Sequence, residues 1–198
     1  MTNKAKFFDY LRDTNVLGPV LTRDEVAGCE AILDATEGWT PAWRAYALAT
    51  AYHETAGTMQ PIAEYGTNSY FTTMYDIRGR RPTMAKSMGN TTPGDGIKYR
   101  GRGYVQLTWK NNYAKAGKAL GIDLVKNPDY ALDERIAARI MREGMEHGWF
   151  TGLSLKTYLK NCFGTAAEFT LARKIINGND KASLIAGYAL TFQKAMLE

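Results

Sequence analysis

Helix start and stop signals recur along most of this chain, and one long segment interrupts them. Thr22 with Glu25 forms a capping box, and Thr40 before Pro41 joins an N-cap residue to a proline at the first helical position. Between residues 59 and 104 this pattern stops, and glycines and prolines punctuate the sequence without a sustained period. The sequence therefore predicts an all-α fold with one long irregular segment.

Apolar periodicity and the same signals predict eight helices. They cover residues 3–13, 22–36, 43–55, 109–120, 133–147, 154–162, 165–178 and 181–197, and Gly18-Pro19 closes the first of them. One further short helix is expected around 82–88. Since no linker, repeat or low-complexity tract is present, we expect one catalytic domain over residues 1–198, with an irregular lobe at about 58–103.

The composition suits a globular protein, because 45% of the 198 residues are apolar. No window approaches the roughly 18 consecutive apolar residues of a membrane span. The N-terminus lacks the unbroken apolar core of a secretory signal, so we expect no signal peptide and no stable membrane insertion. Cys29 and Cys162 both lie in helical patterns, which favours small buried hydrophobic residues over a disulfide framework.

The charge balance is mildly basic, with 25 Lys and Arg against 20 Asp and Glu. The excess is concentrated from Arg78 to Arg102, where seven basic residues face only Asp95. A positive segment of this kind attracts polyanions without naming one. Nucleic acid, an anionic cell-wall polymer and plain solvation all remain open at this point.

Two glutamates are candidates for paired acid and base chemistry. Glu54 shares one face of its predicted helix with Trp43, Ala47 and Thr50, so we expect partial burial to keep its carboxyl protonated. Burial beside a cation would reverse that effect. Glu64 lies on the loop after this helix. Cleavage of a glycosidic bond needs such a pair, one group protonated and one ionised.

The segment 98–113 carries a second group of polar residues. Its two glycines let the backbone pass close to another group, and a short extended run places Gln106 and Thr108 on one side. Asn112 follows one helical turn later. Two interpretations remain open, because Thr108 can cap the next helix beside solvated polar residues, or the three can line a groove for sugar hydroxyls and acetamides.

Other chemistries have little support in the sequence. His53 and His147 are the only histidines, and the His53-Glu54 pair lacks the second histidine of a zinc protease helix, so we expect no metal. No strand-turn-helix elbow surrounds a serine, and Gly101-Arg-Gly103 is too short for a dinucleotide loop. We therefore expect no cofactor.

Four stretches in chain order resemble the successive signatures of glycoside hydrolase family 19, the chitinase family. They are His-Glu-Thr at 53–55, Tyr-Arg-Gly-Arg-Gly-Tyr-Val-Gln-Leu-Thr-Trp-Lys-Asn-Asn-Tyr-Ala-Lys-Ala-Gly at 99–117, Asn-Pro at 127–128 and Ala-Arg-Lys-Ile-Ile-Asn-Gly at 172–178. The sequence is most similar to the compact phage endolysins of that family. The resemblance implies a lysozyme-like, two-lobed helical fold with a cleft between the lobes.

The same resemblance implies the roles of individual residues. Glu54 matches the general acid, Glu64 the second carboxylate of the phage-type pattern, and Thr108 a residue that holds water. The residues that match substrate-binding positions are His53, Tyr99, Gln106, Asn112 and Asn177. Tyr104 replaces the usual proline after Gly-Arg-Gly and the plant disulfides are absent, and both departures fit the phage branch.

The sequence thus predicts a peptidoglycan-degrading glycoside hydrolase, a phage or prophage endolysin that cleaves β-1,4 bonds of the N-acetylmuramic acid–N-acetylglucosamine backbone. The expected mechanism is inverting, with the two carboxyl groups about 6.5–9.5 Å apart. We expect Glu54→Gln to abolish lysis with little loss of stability. A chitinase acting on poly-N-acetylglucosamine and a non-catalytic glycan-binding protein remain as alternatives.

The expected partner is bacterial cell-wall peptidoglycan, with no nucleic acid. We expect a monomer that stays in the host bacterial cytoplasm until holin-dependent release to the periplasm and wall. The basic segment from Arg78 to Arg102 is expected to hold the enzyme near anionic wall or outer-membrane material.

Overall fold

Helices form most of the computed structural model, which describes residues 3–18 and 20–197. The helices are α1 (Lys4–Thr14), α2 (Arg23–Ala35), α3 (Pro41–Glu54), α4 (Asn68–Tyr75), α5 (Pro82–Ser87), α6 (Asp95–Lys98), α7 (Lys110–Leu120), α8 (Glu134–His147), α9 (Leu155–Tyr158), α10 (Ala166–Ala172) and α11 (Ala182–Ala195). Two 3-10 helices, Pro128–Leu132 and Arg173–Ile175, and two short strands, β1 (Ile62–Ala63) and β2 (Arg102–Gly103), complete the elements. The mainly α-helical fold class is confirmed.

Local hydrogen bonds start three helices where the sequence places their first residues. The Glu25 N–H donates to the Thr22 hydroxyl, and the Glu25 carboxylate accepts from the Thr22 N–H at 2.7 Å. The Thr40 hydroxyl accepts from the Trp43 N–H before α3, and a second capping box at Thr165 opens α10. The predicted break at Gly18-Pro19 includes Pro19, which lies outside the described residues.

The predicted helix at 154–162 is wrong beyond its first turn, because tertiary hydrogen bonds take its carbonyls. The Trp43 indole N–H donates to the Leu159 carbonyl at 2.8 Å, and the Ala42 N–H donates to the Cys162 carbonyl at 3.0 Å. Helix α9 therefore ends after four residues. Cys162 is exposed in a bend, which corrects the expectation of a buried cysteine, whereas Cys29 is buried as expected.

The chain divides into two compact units, of which the first consists of residues 1–60 and 141–198. Its central element is α3, which is apolar around most of its circumference and is buried from Ala42 to Ala51 except at Trp43 and Arg44. Its alanines allow close approach, and α3 packs most extensively against α11. The position of Glu54 is therefore fixed by the last turn of a core helix.

The second unit consists of residues 61–140 and contains the segment that the sequence predicts to be irregular. Strand β1 pairs antiparallel with β2, with Ile62 opposite Gly103. The expected short helix is α5, but α4 and α6 also form within this segment. Helix α4 starts where the Thr67 hydroxyl accepts from the Tyr70 N–H. At two turns, α4 is too short for its apolar period to stand out in the sequence.

Two buried charges tie the second unit together. The Asp76 carboxylate accepts from the Gly94 N–H at 2.7 Å and pairs with Arg78 at 2.9 Å. The buried Arg102 guanidinium pairs with Asp129 at 2.8 Å. Asp76 and Asp129 lie outside the basic segment from Arg78 to Arg102, and each forms an ion pair with one of its arginines. The segment therefore carries less unpaired positive charge than its sequence alone indicates. None of the helices among residues 3–18 and 20–197 has the length and apolarity of a membrane span.

Candidate active site

The predicted site residues fall into two sets, one in each unit. The first unit contains His53, Glu54 and Asn177. The second contains Glu64, Tyr99, Gln106, Thr108 and Asn112. Each set is described by its own contacts.

Glu54 ends α3 and lies beside a cation. Its Oε1 accepts from Arg173 Nη1 at 2.7 Å, and the side chains of Glu54 and Arg173 are 18% and 0% exposed. The Arg173 Nε donates to the Asp180 carbonyl at 2.9 Å, whereas Nη2 has no hydrogen-bond partner among the described residues. The structure thus places a cation, Arg173, beside a carboxyl for which the sequence indicated a mostly apolar stripe.

Tyr46 anchors the segment that carries this arginine. It lies two turns before Glu54 on α3, and its hydroxyl donates to the Ala172 carbonyl at 2.8 Å. Burial raises the pKa of the Tyr46 hydroxyl, so it remains a donor at neutral pH. Helix α3 thus supplies both the carboxylate and a residue that positions its partner.

The other two residues of the first unit have looser surroundings. His53 is half-buried and lines a pocket of about 200 Å³ with Tyr52, Gly57 and Tyr188. Asn177 is exposed, and its backbone N–H donates to the Arg173 carbonyl at 3.0 Å. Their predicted contacts with substrate remain predictions.

Glu64 follows β1 and is held by neutral donors. Its Oε1 accepts from the Tyr75 hydroxyl at 2.8 Å and from the Tyr70 hydroxyl at 3.3 Å. Its Oε2 accepts from the Gly101 N–H at 3.2 Å. Hydrogen bonds of this kind fix the orientation of the carboxyl group.

Tyr75 is a rigid donor to this carboxylate. Its ring lies 5.1 Å from that of Trp109 in an edge-to-face arrangement and stacks on Phe71. Burial, followed by the hydrogen bond to Glu64 and the charge of that carboxylate, raises the pKa of the Tyr75 hydroxyl. Tyr75 therefore keeps its proton at neutral pH.

Close packing around position 101 explains why the residue there is a glycine. A Cβ added there would lie 2.7 Å from Oε1 of Gln106 and 3.2 Å from Oε2 of Glu64. The Gln106 Nε2 donates to the Ile62 carbonyl at 3.2 Å, which fixes its amide beside β1. The group that the backbone was expected to approach is thus the pair Glu64 and Gln106.

The expected extended run through Gln106 is wrong, because the chain forms a tight turn. Arg102 and Leu107 exchange two backbone hydrogen bonds, and Gln106 has a left-handed φ of 52°. The Thr108 hydroxyl donates to the Gln106 carbonyl at 2.8 Å, and the Asn112 amide donates to the Thr108 carbonyl at 2.8 Å. The three polar residues are therefore linked through backbone carbonyls and not by a strand face.

Backbone strain concentrates around the candidate residues. Among the described residues, six other than glycine have positive φ, and four of them lie just after Glu54 or beside Thr108. These four are Ala56, Met59, Gln106 and Trp109. Trp109, at φ 77°, takes the N-cap position of α7, so the interpretation of Thr108 as that cap is wrong. Strained residues of this kind cluster at functional sites.

Tyr99 belongs to the scaffold. It is 1% exposed, its hydroxyl donates to the Val125 carbonyl at 3.2 Å, and its ring packs against Tyr113. A side chain so enclosed offers no surface to a sugar, which corrects its predicted role as a substrate contact.

Sequence reasoning missed the residues that hold the two carboxylates. Arg173 stands next to Lys174 in an otherwise mainly apolar stretch, so the sequence does not single it out as the partner of a buried carboxylate. Tyr75 had no signal either, because the hydrogen bond from its hydroxyl to Glu64 forms only in the folded chain. Over residues 3–18 and 20–197, no three His, Cys, Asp or Glu side chains come close enough to hold a metal ion.

A known family model matches the part of the chain that contains most of the candidate residues. The model of the chitinase class I family matches residues 38–152, more than half of the chain, and the match includes Glu54, Glu64 and Thr108. The chain belongs to glycoside hydrolase family 19. Asn177 and Arg173 lie beyond the matched residues.

Curated family 19 relatives match over limited stretches. An "Inactive chitinase-like protein 1" of Hevea brasiliensis is 51% identical over 41 residues, which are 21% of this chain and 13% of that protein. "Chitinase 3" of Oryza sativa subsp. japonica is 39% identical over 83 residues, or 41% of this chain and 26% of that protein. The chain thus spans well under half the length of these relatives.

Solved family 19 structures show the same fold over nearly the whole chain. Chitinase C from Streptomyces griseus HUT6037 aligns with a TM-score of 0.66 at 21% identity, covering 98% of this chain and 76% of that one. A bacterial family 19 chitinase aligns with a TM-score of 0.57 at 22% identity and 98% and 94% coverage. At this identity the likeness establishes the fold alone.

Proposed function

We propose that the chain is a peptidoglycan-degrading glycoside hydrolase of the phage endolysin type, cleaving β-1,4 bonds between N-acetylmuramic acid and N-acetylglucosamine. The observation that supports a catalytic role is that the two glutamates within the family match, Glu54 and Glu64, have different surroundings. Glu54 pairs with a buried guanidinium, and Glu64 is held by two phenols and an amide. Two carboxyl groups in different environments suit an acid and a base.

In the proposed mechanism Glu54 takes up a proton before the glycosidic bond breaks and passes it to the leaving oxygen, and Arg173 stabilises the carboxylate that results. Glu64 takes a proton from the attacking water. The Thr108 hydroxyl donates a hydrogen bond to the Gln106 carbonyl, so its oxygen is oriented to accept a hydrogen bond from that water. The displacement is single and inverts the anomeric configuration.

The choice of peptidoglycan depends on features that separate this chain from the plant branch. Both described cysteines are free, and Tyr104 stands where plant enzymes have proline. The net charge of +5 favours an anionic polymer over neutral chitin. Chitin hydrolysis remains a second candidate, because the rice and Streptomyces relatives are named chitinases. The Hevea relative is named inactive, which keeps glycan binding without catalysis as a third.

One experiment separates the three candidates. Purified peptidoglycan and colloidal chitin are incubated side by side with the chain, turbidity is followed, and new reducing ends are identified by mass spectrometry. We expect clearing of peptidoglycan with N-acetylated disaccharide ends and no comparable release from chitin. Release from chitin alone would replace the proposal with a chitinase, and binding without release would replace it with a glycan-binding protein.

A further inference from the structure

Arg81 differs from three other arginines of the segment from Arg78 to Arg102. Arg78 and Arg102 are paired with carboxylates, and the Arg100 guanidinium donates to the Ile97 carbonyl over the Phe71 ring. Arg81 is exposed, and its guanidinium is fixed without a carboxylate partner in any ion pair of the described residues.

Neutral contacts hold the Arg81 guanidinium. Its Nε and Nη2 donate to the Met74 carbonyl at 3.3 and 3.0 Å. Its Cζ lies 5.9 Å from the centroid of the Tyr75 ring and 6.0 Å from that of Trp109, within the range of cation–π attraction. Within the described part of the chain, the hydrogen-bond acceptor for Nη1 is the Met84 sulfur, at 4.0 Å, and sulfur is a weak acceptor. The result is an oriented cation that still has donors for an anion.

Tyr75 connects this cation to the candidate base. The face of its ring contacts Arg81, and its hydroxyl donates to Glu64. One aromatic side chain therefore separates the guanidinium from the carboxylate. A substituent of a glycan bound at Glu64 can therefore reach the exposed Arg81 guanidinium.

We propose that Arg81 binds a carboxylate carried on the lactyl arm of the wall glycan and thereby selects peptidoglycan over chitin. The inference rests on the proposed function, and it assigns the selection to one side chain. Chitin carries hydroxyls and acetamides but no carboxylate. In peptidoglycan the carboxylate belongs to the stem peptide attached through the lactyl group, or to the lactyl group itself once the peptide is removed. A guanidinium fork suits either source.

The test compares Arg81→Met with wild type on four substrates. These are intact peptidoglycan, glycan strands stripped of peptides by an amidase, the same strands with lactyl carboxyls converted to methylamides, and chitin oligosaccharides. Arg80→Met is the matched control, since Arg80 is an adjacent exposed arginine. Binding to each soluble substrate is also measured in a Glu54→Gln background, so that a weak or absent turnover leaves a second measurement. Thermal unfolding of both Met variants checks the fold.

We expect Arg81→Met to lose about tenfold in kcat/KM and affinity on carboxylated glycans, the size of one charge-assisted hydrogen bond. Activity and binding on methylamidated strands and chitin oligosaccharides remain unchanged, and Arg80→Met behaves as wild type. Loss on intact peptidoglycan alone assigns the carboxylate to the stem peptide, and loss on stripped strands assigns it to the lactyl group. Equal loss on all four substrates, or no loss on any, overturns the inference. A wild type that cleaves only chitin overturns the proposed function instead, while the binding comparison still decides the role of Arg81.

Discussion

The two units of this protein hold a candidate carboxylate in opposite ways. Glu54 ends a core helix and forms an ion pair with a fully buried arginine. Glu64 follows a two-residue strand and accepts hydrogen bonds from Tyr75, Tyr70 and Gly101. In the first arrangement the carboxylate is half of a buried ion pair, so removing either partner lowers the stability of the fold. In the second, neutral donors orient the carboxylate, so removing a donor changes its orientation. The comparison predicts different consequences for matched substitutions.

Glu54→Gln is expected to have the largest effect on activity. Removing a general acid costs about 10²- to 10⁴-fold in rate, measured as kcat on solubilised glycan strands. The substitution also replaces the charged partner of Arg173, so unlike the sequence-based expectation it should lower the unfolding temperature. Glu37→Gln is the control, because Glu37 is exposed. Wild-type turnover by the Glu54 variant would refute the acid assignment.

Arg173→Met tests the buried pair from its other side. The variant leaves the Glu54 carboxylate without its cation, so we expect a loss of about 3–5 kcal/mol in the free energy of unfolding. Lys4→Met breaks an exposed pair with Asp34, whose side chains are 40% and 67% exposed, and should cost about 0–1 kcal/mol. Urea denaturation measures both. Equal losses would show that burial does not distinguish the two pairs.

Tyr75→Phe removes one hydroxyl from Glu64 and keeps the ring that packs against Trp109. We expect kcat to fall about tenfold with little change in KM or in unfolding temperature, because the lost bond orients the base and not the glycan. Tyr70→Phe is the control, since its hydroxyl lies farther from Glu64, at 3.3 Å, and Tyr70 is more exposed. A larger effect at Tyr70 would contradict this ranking of the two donors.

Gly101→Ala should have a smaller effect. The new Cβ displaces the Gln106 amide and presses on the Glu64 carboxylate, so we expect activity to fall about three- to tenfold by misplacing the base. Gly187→Ala is a useful comparison, because a Cβ there meets nothing within 4 Å, and the helix should gain about 0.5–1 kcal/mol. Unchanged activity in the Gly101 variant would mean that the Gln106 side chain moves away without disturbing Glu64.

The sequence predicts those parts of the fold that depend on neighbouring residues and misses those that depend on distant ones. Capping boxes are local, so the starts of α2 and α10 could be read directly from Thr22 and Thr165. The C-terminal end of α9 depends on a hydrogen bond from Trp43 to Leu159, and the Gln106 amide is held by one to Ile62, and no local pattern contains either bond. Motif resemblance named the two glutamates, yet the groups that hold them come from elsewhere in the chain.

Lowering the pH should destabilise the second unit through Asp76, and we expect this effect to be smaller than those of the substitutions above. Burial alone would raise the pKa of this carboxyl, but hydrogen bonds from Arg78, Gly94 and Gly96 hold it below its ordinary value of 3.8. A depressed folded-state pKa contributes stability that is present above pH 3.8 and is lost as the pH falls through the lower folded value.

Hydrogen exchange measures this contribution locally. We expect peptides covering residues 91–98 to lose protection as the pH falls below 3.8, while peptides of α3 keep theirs, after correction for the intrinsic exchange rate. Asp76→Asn should lose that protection already at pH 6, whereas Asp13→Asn, at an exposed position of α1, should not. Because Asp76 is the C-cap of α4 and directly follows Tyr75, early opening there would also release the principal donor to Glu64. If both units open together at every pH, the two carboxylates share one cooperative scaffold, and the contrast between them lies only in their immediate hydrogen bonds.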